Sequence, residues 1–298
     1  MNPIKFLEPS DFSEATSLLD QYGDDAKITA GGTSVVLMLQ QKLIAPSVLI
    51  SLGRVSNYDF IHLEEDGLHI GALTKLRDIE RSDRVKRFCP ALAHTFHVVA
   101  NIRVRNQATI GGNLSAADYA ADPPAMLMAL DARVQVQGGA LRPKGVSKRP
   151  EREREIPLSE FFLGFYTTAL EPNEILAEVI IPALPASARA AYHKYTSISA
   201  EGRPCVAVGA VADFDPNGKC LDLKIAVGAA VETPQRVKDA EVMANGHPLT
   251  DELIAAIADE YARTLDPLTD VRGSAWYRKE MIRVFVKRAL QEVRNGDR

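Results

Sequence analysis

The stretch VRNQATIGGN, residues 104–113, continues through LSAADYAADPP toward a helix near Ala125. Two adjacent glycines followed by an amide side chain let the backbone approach a ligand and present unshielded N–H groups to it. The stretch therefore predicts a loop that cradles an anion such as a phosphate.

A second glycine loop, AGGTS at residues 30–34, follows the short apolar run 27–30 and precedes the helical pattern VVLMLQQK. Two such loops, each after a predicted strand, favour one extended ligand whose phosphates are held from both sides, and a dinucleotide has that shape. Neither loop is a GxGxxG motif and no Walker lysine follows, which disfavours a Rossmann NAD site and a P-loop. A tight structural turn stays the alternative for either loop taken alone.

Composition excludes several classes of function. The 298 residues carry a net charge of -4 and are 46% hydrophobic, so neither nucleic acid nor an anionic membrane is favoured as a partner. The first ten residues lack signal-peptide features and no apolar run is long enough to span a bilayer, which predicts a cytoplasmic protein without membrane insertion. Three scattered cysteines and six histidines without metal spacing predict no metal site and no iron–sulfur cluster in this chain.

Hydrophobic periodicity predicts an α+β chain. The first part reads as a helix closed by Gly23, a strand, a helix and a strand, which together form a βαβ-like unit over residues 1–55. Period-two patterning around Asp66-Gly67 then predicts a hairpin, followed by helices and by strands at 133–137 and 174–181. Residues 138–155, rich in charge, glycine and proline, are predicted to be a surface loop.

Pro182 and Pro185 mark a predicted domain boundary, because the pattern after them differs. Three strands, at 190–197, 206–214 and 221–227, predict a small antiparallel sheet, and two amphipathic helices follow. The predicted domains are therefore residues 1–182, divided into parts 1–55 and 56–182, and residues 183–298.

The chain also resembles a known family. AGGTS, ATIGGN at 108–113, an aspartate nine residues after the amide and DVRGSAWYR at 270–278 occur in the same order in FAD-carrying medium subunits of molybdenum hydroxylases. Carbon monoxide dehydrogenase and the FAD domain of xanthine dehydrogenase belong to this group, and the resemblance covers essentially the whole chain. It implies a two-subdomain FAD-binding fold of the vanillyl-alcohol oxidase (PCMH) type, followed by a carbon monoxide dehydrogenase flavoprotein-like C-terminal domain.

The resemblance implies a set of FAD-binding residues in the two loops, with an aspartate for FAD hydroxyls, a leucine against the flavin ring and a lysine near its polar edge. The set is Ala30, Gly31, Gly32, Thr33, Ser34, Val35, Thr109, Ile110, Gly111, Gly112, Asn113, Asp122, Leu176 and Lys194. An ammonium at the ring edge would stabilise negative charge on reduced flavin. Core packing accounts equally well for Leu176, and a solvated strand position for Lys194. Asp118 is expected at the surface.

The function implied is electron transfer. A molybdopterin large subunit would oxidise the substrate, an iron–sulfur small subunit with [2Fe-2S] clusters would relay electrons, and FAD in this chain would pass them to NAD, oxygen or a quinone. The assembly would be a dimer of heterotrimers, with the molybdenum cofactor and clusters only in the partner subunits. FAD is expected to be noncovalent because neither loop contains histidine, and no residue is expected to be catalytic. A stand-alone FAD reductase and a non-catalytic nucleotide-binding module are the alternatives.

Overall fold

The computed structural model describes residues 3–139, 151–199 and 201–296. The chain is a mixed α+β fold whose three consecutive parts meet around one cavity. Within the described residues, no helix has both the length and the apolar character needed to cross a membrane.

A three-stranded parallel sheet forms the first part and carries the first glycine loop. Its elements are β1 (Lys5–Leu7), α1 (Phe12–Tyr22), β2 (Ala26–Thr29), α2 (Val35–Gln40) and β3 (Val48–Ser51). The strand order is β1-β3-β2. Phe12, Ala15 and Leu19 recur at helical spacing on α1 and pack with β3 in one buried cluster. The predicted βαβ arrangement is present, and β1, which the sequence pattern did not reveal, adds an edge strand.

A five-stranded antiparallel sheet with helices on it forms the second part. Its elements are β4 (Ile61–Leu63), β5 (Gly67–Gly71), α3 (Leu76–Arg81), α4 (Asp83–Phe88), α5 (Pro90–His97), α6 (Ile102–Arg105), α7 (Ile110–Ser115), α8 (Pro123–Ala129), β6 (Arg133–Gly139), β7 (Glu151–Pro157), α9 (Leu158–Phe161), β8 (Phe162–Gly164), β9 (Thr167–Thr168) and β10 (Glu174–Pro182). The sheet order is β4-β5-β10-β6-β7, and β8 pairs with β9 in a separate hairpin.

The prediction of a surface loop at 138–155 is wrong at both ends of that range, and its middle, residues 140–150, lies outside the described residues. Gly138 lies in β6, and residues 151–155 belong to β7, which pairs antiparallel with β6. Charged residues misled the prediction, although charge is common on strands at a sheet edge. Arg154 pairs with the buried Glu174 and Ile156 reaches the core, because residues two apart on β7 share the face that packs on the protein.

The third part is a three-stranded antiparallel sheet covered by helices, as predicted. Its elements are β11 (Arg189–Tyr195), β12 (Val206–Phe214), β13 (Cys220–Gly228), α10 (Lys238–Glu241), α11 (Asp251–Thr264) and α12 (Ala275–Asn295). Ile254, Ile257 and Tyr261 of α11 and Ile282 and Val286 of α12 are fully buried against this sheet.

Close packing joins the third part to the second. A Cβ on Gly209 of β12 would lie 2.7 Å from the Cα of Met126 in α8, so only glycine allows this approach. The sheet therefore sits directly on α8, and β11 comes beside the residue that precedes α8, Asp122.

Candidate functional site

A cavity of about 800 Å³ opens where the three parts of the chain meet. That volume lies in the range of small-molecule and cofactor sites, roughly 300–1,000 Å³. Every predicted binding residue lines it except Ile110 and Lys194. Ile110 is fully buried in the core behind the second loop, and Lys194 reaches a lining residue, Asp122, instead.

The two glycine loops contact each other at the cavity. A Cβ added to Gly31 would lie 1.9 Å from the carbonyl oxygen of Gln107, which precedes the second loop. The same carbonyl accepts a 3.0 Å hydrogen bond from the Lys75 ammonium. The glycine is therefore required for loop-to-loop packing, which sequence separation alone does not reveal.

The first loop leaves backbone N–H groups available to a ligand. Gly32 has φ of 74°, a left-handed conformation that favours glycine. The first helical hydrogen bond runs from the Val36 N–H to the Gly32 carbonyl, so the amides before Val36 have no partner within the helix. These amides suit the anion cradle predicted for this loop, and their binding of a ligand stays a prediction.

The second loop uses its backbone differently from our prediction. The Ile110 and Gly111 amides donate to the carbonyls of Thr74 and Ala72, and the Gly112 amide donates to Thr109 Oγ1. These three amides are thus satisfied inside the protein, because the loop also joins the neighbouring chain segment and caps α7. The prediction of unshielded N–H groups at these positions is wrong.

Asn113 offers a side-chain group instead. Its Oδ1 is buried and has no hydrogen-bond partner among the described residues, and Asn113 lines the cavity. Since an unsatisfied buried acceptor costs about 1–3 kcal/mol, such a group commonly marks a ligand or water position.

Asp122 is buried at the cavity with two donors on its carboxylate. The Tyr192 hydroxyl donates to Oδ1 at 2.9 Å, and the Lys194 ammonium lies 3.1 Å from Oδ2. Burial raises the pKa of Asp122 to about 6, although both donors act against that shift. Lys194 is not a solvated strand lysine, since its side chain is buried in this ion pair. Tyr192 was missed, although its place two residues before Lys194 on a strand puts it on the same face.

Asp118 and Leu176 also line the cavity. Asp118, expected at the surface, lines the cavity and pairs with Arg203 at 2.8 Å. Leu176 is 3% exposed, lines the cavity and packs among the buried core residues of the second part. Contact with the flavin ring and core packing therefore both fit it.

The DVRGS turn after α11 has a structural role beside the cavity. Arg272 pairs with Asp270 and lies over the ring of Tyr119, whose hydroxyl also donates to Asp270. Burial alone would raise the pKa of Asp270, but hydrogen bonds from Arg272, Tyr119 and Arg278 hold it well below its ordinary value. The turn thus ties the C-terminal part to the loop before α8.

The β4–β5 hairpin brings together three metal-ligand types that the sequence did not group. One ligand atom each from Glu64, Asp66 and His69 lies within 4.8 Å of the others. The His69 ring already contacts Glu178 Oε1 through Nδ1 at 2.5 Å and Asp66 Oδ1 through Nε2 at 2.9 Å. This geometry suits a protonated imidazole that donates to two carboxylates.

His69→Gln is expected to destabilise the protein in a pH-dependent way. Burial alone would lower the pKa of His69, but the bonds to Asp66 and Glu178 raise it above its ordinary value. The stabilisation is therefore complete below the unfolded pKa of about 6.5 and is lost as pH rises through the folded pKa. The free energies of unfolding of the two proteins, measured in denaturant, should differ by at most about 1 kcal/mol near pH 6 and become equal in alkali. A difference that stays constant with pH would contradict this role.

Two family models match this chain. The family described as FAD binding domain in molybdopterin dehydrogenase matches residues 2–184, and the CO dehydrogenase flavoprotein C-terminal domain matches residues 191–293. The chain belongs to the FAD-binding medium subunits of the molybdenum hydroxylases. It is accordingly an FAD-binding oxidoreductase subunit.

Individual relatives of this FAD-binding subunit match along most of their length. The 6-hydroxypseudooxynicotine dehydrogenase complex subunit alpha of Paenarthrobacter nicotinovorans is 34% identical over 93% of this chain and 89% of its own. The carbon monoxide dehydrogenase medium chain of Hydrogenophaga pseudoflava is 31% identical over 96% of each. A solved structure of carbon monoxide dehydrogenase from that organism superposes with a TM-score of 0.90 at 32% identity, covering 98% of both chains.

The cavity residues fit FAD on two observations of this structure. The first loop supplies backbone donors suited to a pyrophosphate. The buried Asn113 Oδ1, in turn, accepts from none of the residues that the structure describes, and it suits a hydroxyl or N–H of the cofactor.

Proposed function

We propose that this chain is the FAD-carrying electron-transfer subunit of a molybdenum-containing hydroxylase or dehydrogenase. It would take electrons from an iron–sulfur subunit and pass them to NAD, oxygen or a quinone. The observation that carries the proposal is the cavity where both glycine loops meet beside an amide oxygen that has no partner in the described part of the chain. FAD supplies the redox chemistry when bound, since it exchanges one or two electrons, and the protein orients and tunes it.

The cavity residues receive specific roles in this proposal. The amides of the first loop bind the pyrophosphate, while Thr109 and Asn113 contact the cofactor from the second loop. Asp122 accepts from FAD hydroxyls, and Leu176 packs against the ring. Binding is noncovalent, which agrees with a cavity whose described lining residues include no histidine or cysteine.

The partner subunits are also part of the proposal. An iron–sulfur small subunit with [2Fe-2S] clusters and a molybdopterin large subunit would join this chain in a cytoplasmic dimer of heterotrimers. The relatives' names, which read "complex subunit" and "medium chain", support a multi-subunit assembly. All three cysteines are buried singly in the described residues, so clusters are assigned to partners. We place the domain boundary between residues 182 and 183.

Asn113→Ala is expected to weaken FAD binding about tenfold, the value of one hydrogen bond lost to the cofactor. Stability of the FAD-free chain should stay unchanged or rise, because Oδ1 has no partner to lose in the described residues. Titration of flavin fluorescence and denaturant unfolding measure the two effects.

Asn101→Ala is the matched control for this change. Asn101 Oδ1 caps α6 by accepting from the amides of Arg103 and Val104, and Asn101 is not among the lining residues. Its loss should cost about 1 kcal/mol of stability with little change in FAD affinity. If Asn113→Ala behaves like Asn101→Ala, Asn113 has no ligand role.

The function is tested by affinity purification of the tagged chain from its native host. Iron–sulfur and molybdopterin chains should elute with it, and acid should release one FAD per chain. Substrate-dependent flavin reduction should occur only with the partners present. A chain that elutes alone and turns over substrate would instead be a stand-alone reductase. A chain that carries no flavin and takes up none would refute the cofactor role.

A further inference from the structure

Two side chains of β11 hold the Asp122 carboxylate from the C-terminal part. The Tyr192 hydroxyl donates to one oxygen at 2.9 Å, and the Lys194 ammonium lies 3.1 Å from the other. Residues two apart on a strand share a face, so both side chains reach the cavity wall together. Asp122 precedes α8 in the FAD-binding part, and both hydrogen bonds therefore cross between the two parts.

These contacts fix the carboxylate in one orientation. Lys194 also donates to the Val98 carbonyl at 2.8 Å, so its ammonium is held at two points. Tyr192 and Asp122 are each 4% exposed, and rotation of the carboxylate would break two bonds in a buried setting. A carboxylate has about four lone-pair sites, which leaves acceptor positions for a ligand in the cavity.

We propose that Tyr192 and Lys194 are positioning residues that aim Asp122 at the hydroxyls of FAD. FAD affinity then depends on docking of the C-terminal sheet, whose two side chains act on the cofactor only through Asp122. The inference rests on the proposed function, because it requires Asp122 to accept a hydrogen bond from the cofactor. It gives Lys194 a role through Asp122 rather than at the flavin ring.

The charge of Asp122 supplies a readout that a purely structural role would not move. Burial raises its pKa to about 6, the Tyr192 and Lys194 contacts act in the opposite direction, and the Asp118 charge adds to the rise. Asp118 is itself paired with Arg203. Because the ionised carboxylate is the better acceptor, FAD affinity should fall as Asp122 becomes protonated, and removal of either donor should move that fall to higher pH.

The test measures FAD affinity of the flavin-depleted complex between about pH 5 and about pH 8 by flavin fluorescence. Tyr192→Phe is expected to weaken FAD binding about tenfold at neutral pH and to raise by about one unit the pH at which half of the affinity change has occurred, the midpoint. Lys194→Met should likewise weaken binding and raise this midpoint, and it carries the test alone if Tyr192→Phe does not fold. Tyr195→Phe is the control, since this tyrosine is on the same strand but bonds Tyr277 outside the cavity.

The outcomes distinguish failure of the positioning role from failure of the proposed function. Wild-type complex that binds no FAD at any pH would overturn the proposed function itself. Wild-type complex that binds FAD, together with folded variants that keep its affinity and midpoint, would overturn the positioning role alone. A lower melting temperature with unchanged affinity would assign Tyr192 and Lys194 to structure only.

Discussion

Gly31→Ala is expected to abolish FAD binding, with affinity reduced more than about 100-fold, and to destabilise the chain by about 1–3 kcal/mol. The added Cβ would lie 1.9 Å from the Gln107 oxygen, 2.6 Å from its carbonyl carbon and 3.0 Å from the Ala108 Cα. All three are backbone atoms, so no side chain can rotate away. The loops must separate, and the cavity that both of them line changes shape.

FAD titration and thermal unfolding of the purified complex measure this effect. Gly53→Ala is the control, because the nearest atom to its added Cβ is a side-chain oxygen, Ser51 Oγ, at 3.3 Å. That change should cost less than about 1 kcal/mol and leave FAD affinity unaltered. A Gly31→Ala protein with wild-type affinity would show that the contact between the loops is unimportant for the site.

Arg278→Met is expected to reduce the free energy of unfolding by about 3–5 kcal/mol, the typical cost of removing one partner from a buried ion pair. Arg278 is fully buried and pairs with Asp270. It also donates to the carbonyls of Cys205, at 2.7 Å, and Ala229. Methionine fills part of the volume but leaves the carboxylate and two carbonyls with fewer donors. Denaturant unfolding measures the loss.

Arg263→Met provides the comparison for a pair at the surface. Arg263 pairs with Glu260 while its side chain is 73% exposed, so its loss should cost less than about 1 kcal/mol. A cost for Arg278→Met no greater than that for Arg263→Met would contradict the proposed contribution of the buried pair.

The contribution of Asp270 to stability should also depend on pH. It should be fully present above the unfolded pKa of about 3.9 and decline as pH falls toward the lower folded pKa of this carboxyl.

Local patterns predicted the elements that depend on neighbouring residues. The helical spacing of Phe12, Ala15 and Leu19, the Asp66-Gly67 hairpin and the three C-terminal strands are all present. Each depends on residues within a few positions along the chain, where periodicity and turn preference act. The family motifs added the FAD assignment and a set of residues of which all but Ile110 and Lys194 line the cavity. The charged strand β7 was missed because its partners, such as Glu174 for Arg154, lie far away in sequence.

The sequence by itself determined the α+β class, both glycine loops and the family. Only the tertiary structure decided how those residues are used. It places Gly31 against Gln107, satisfies the second loop's amides internally, and leaves Asn113 Oδ1 as the unpartnered acceptor among the described cavity residues. It also brings Tyr192 to Asp122 across 70 positions. The physical reason is that such contacts depend on how sheets and helices pack, and packing distances do not follow from spacing along the chain.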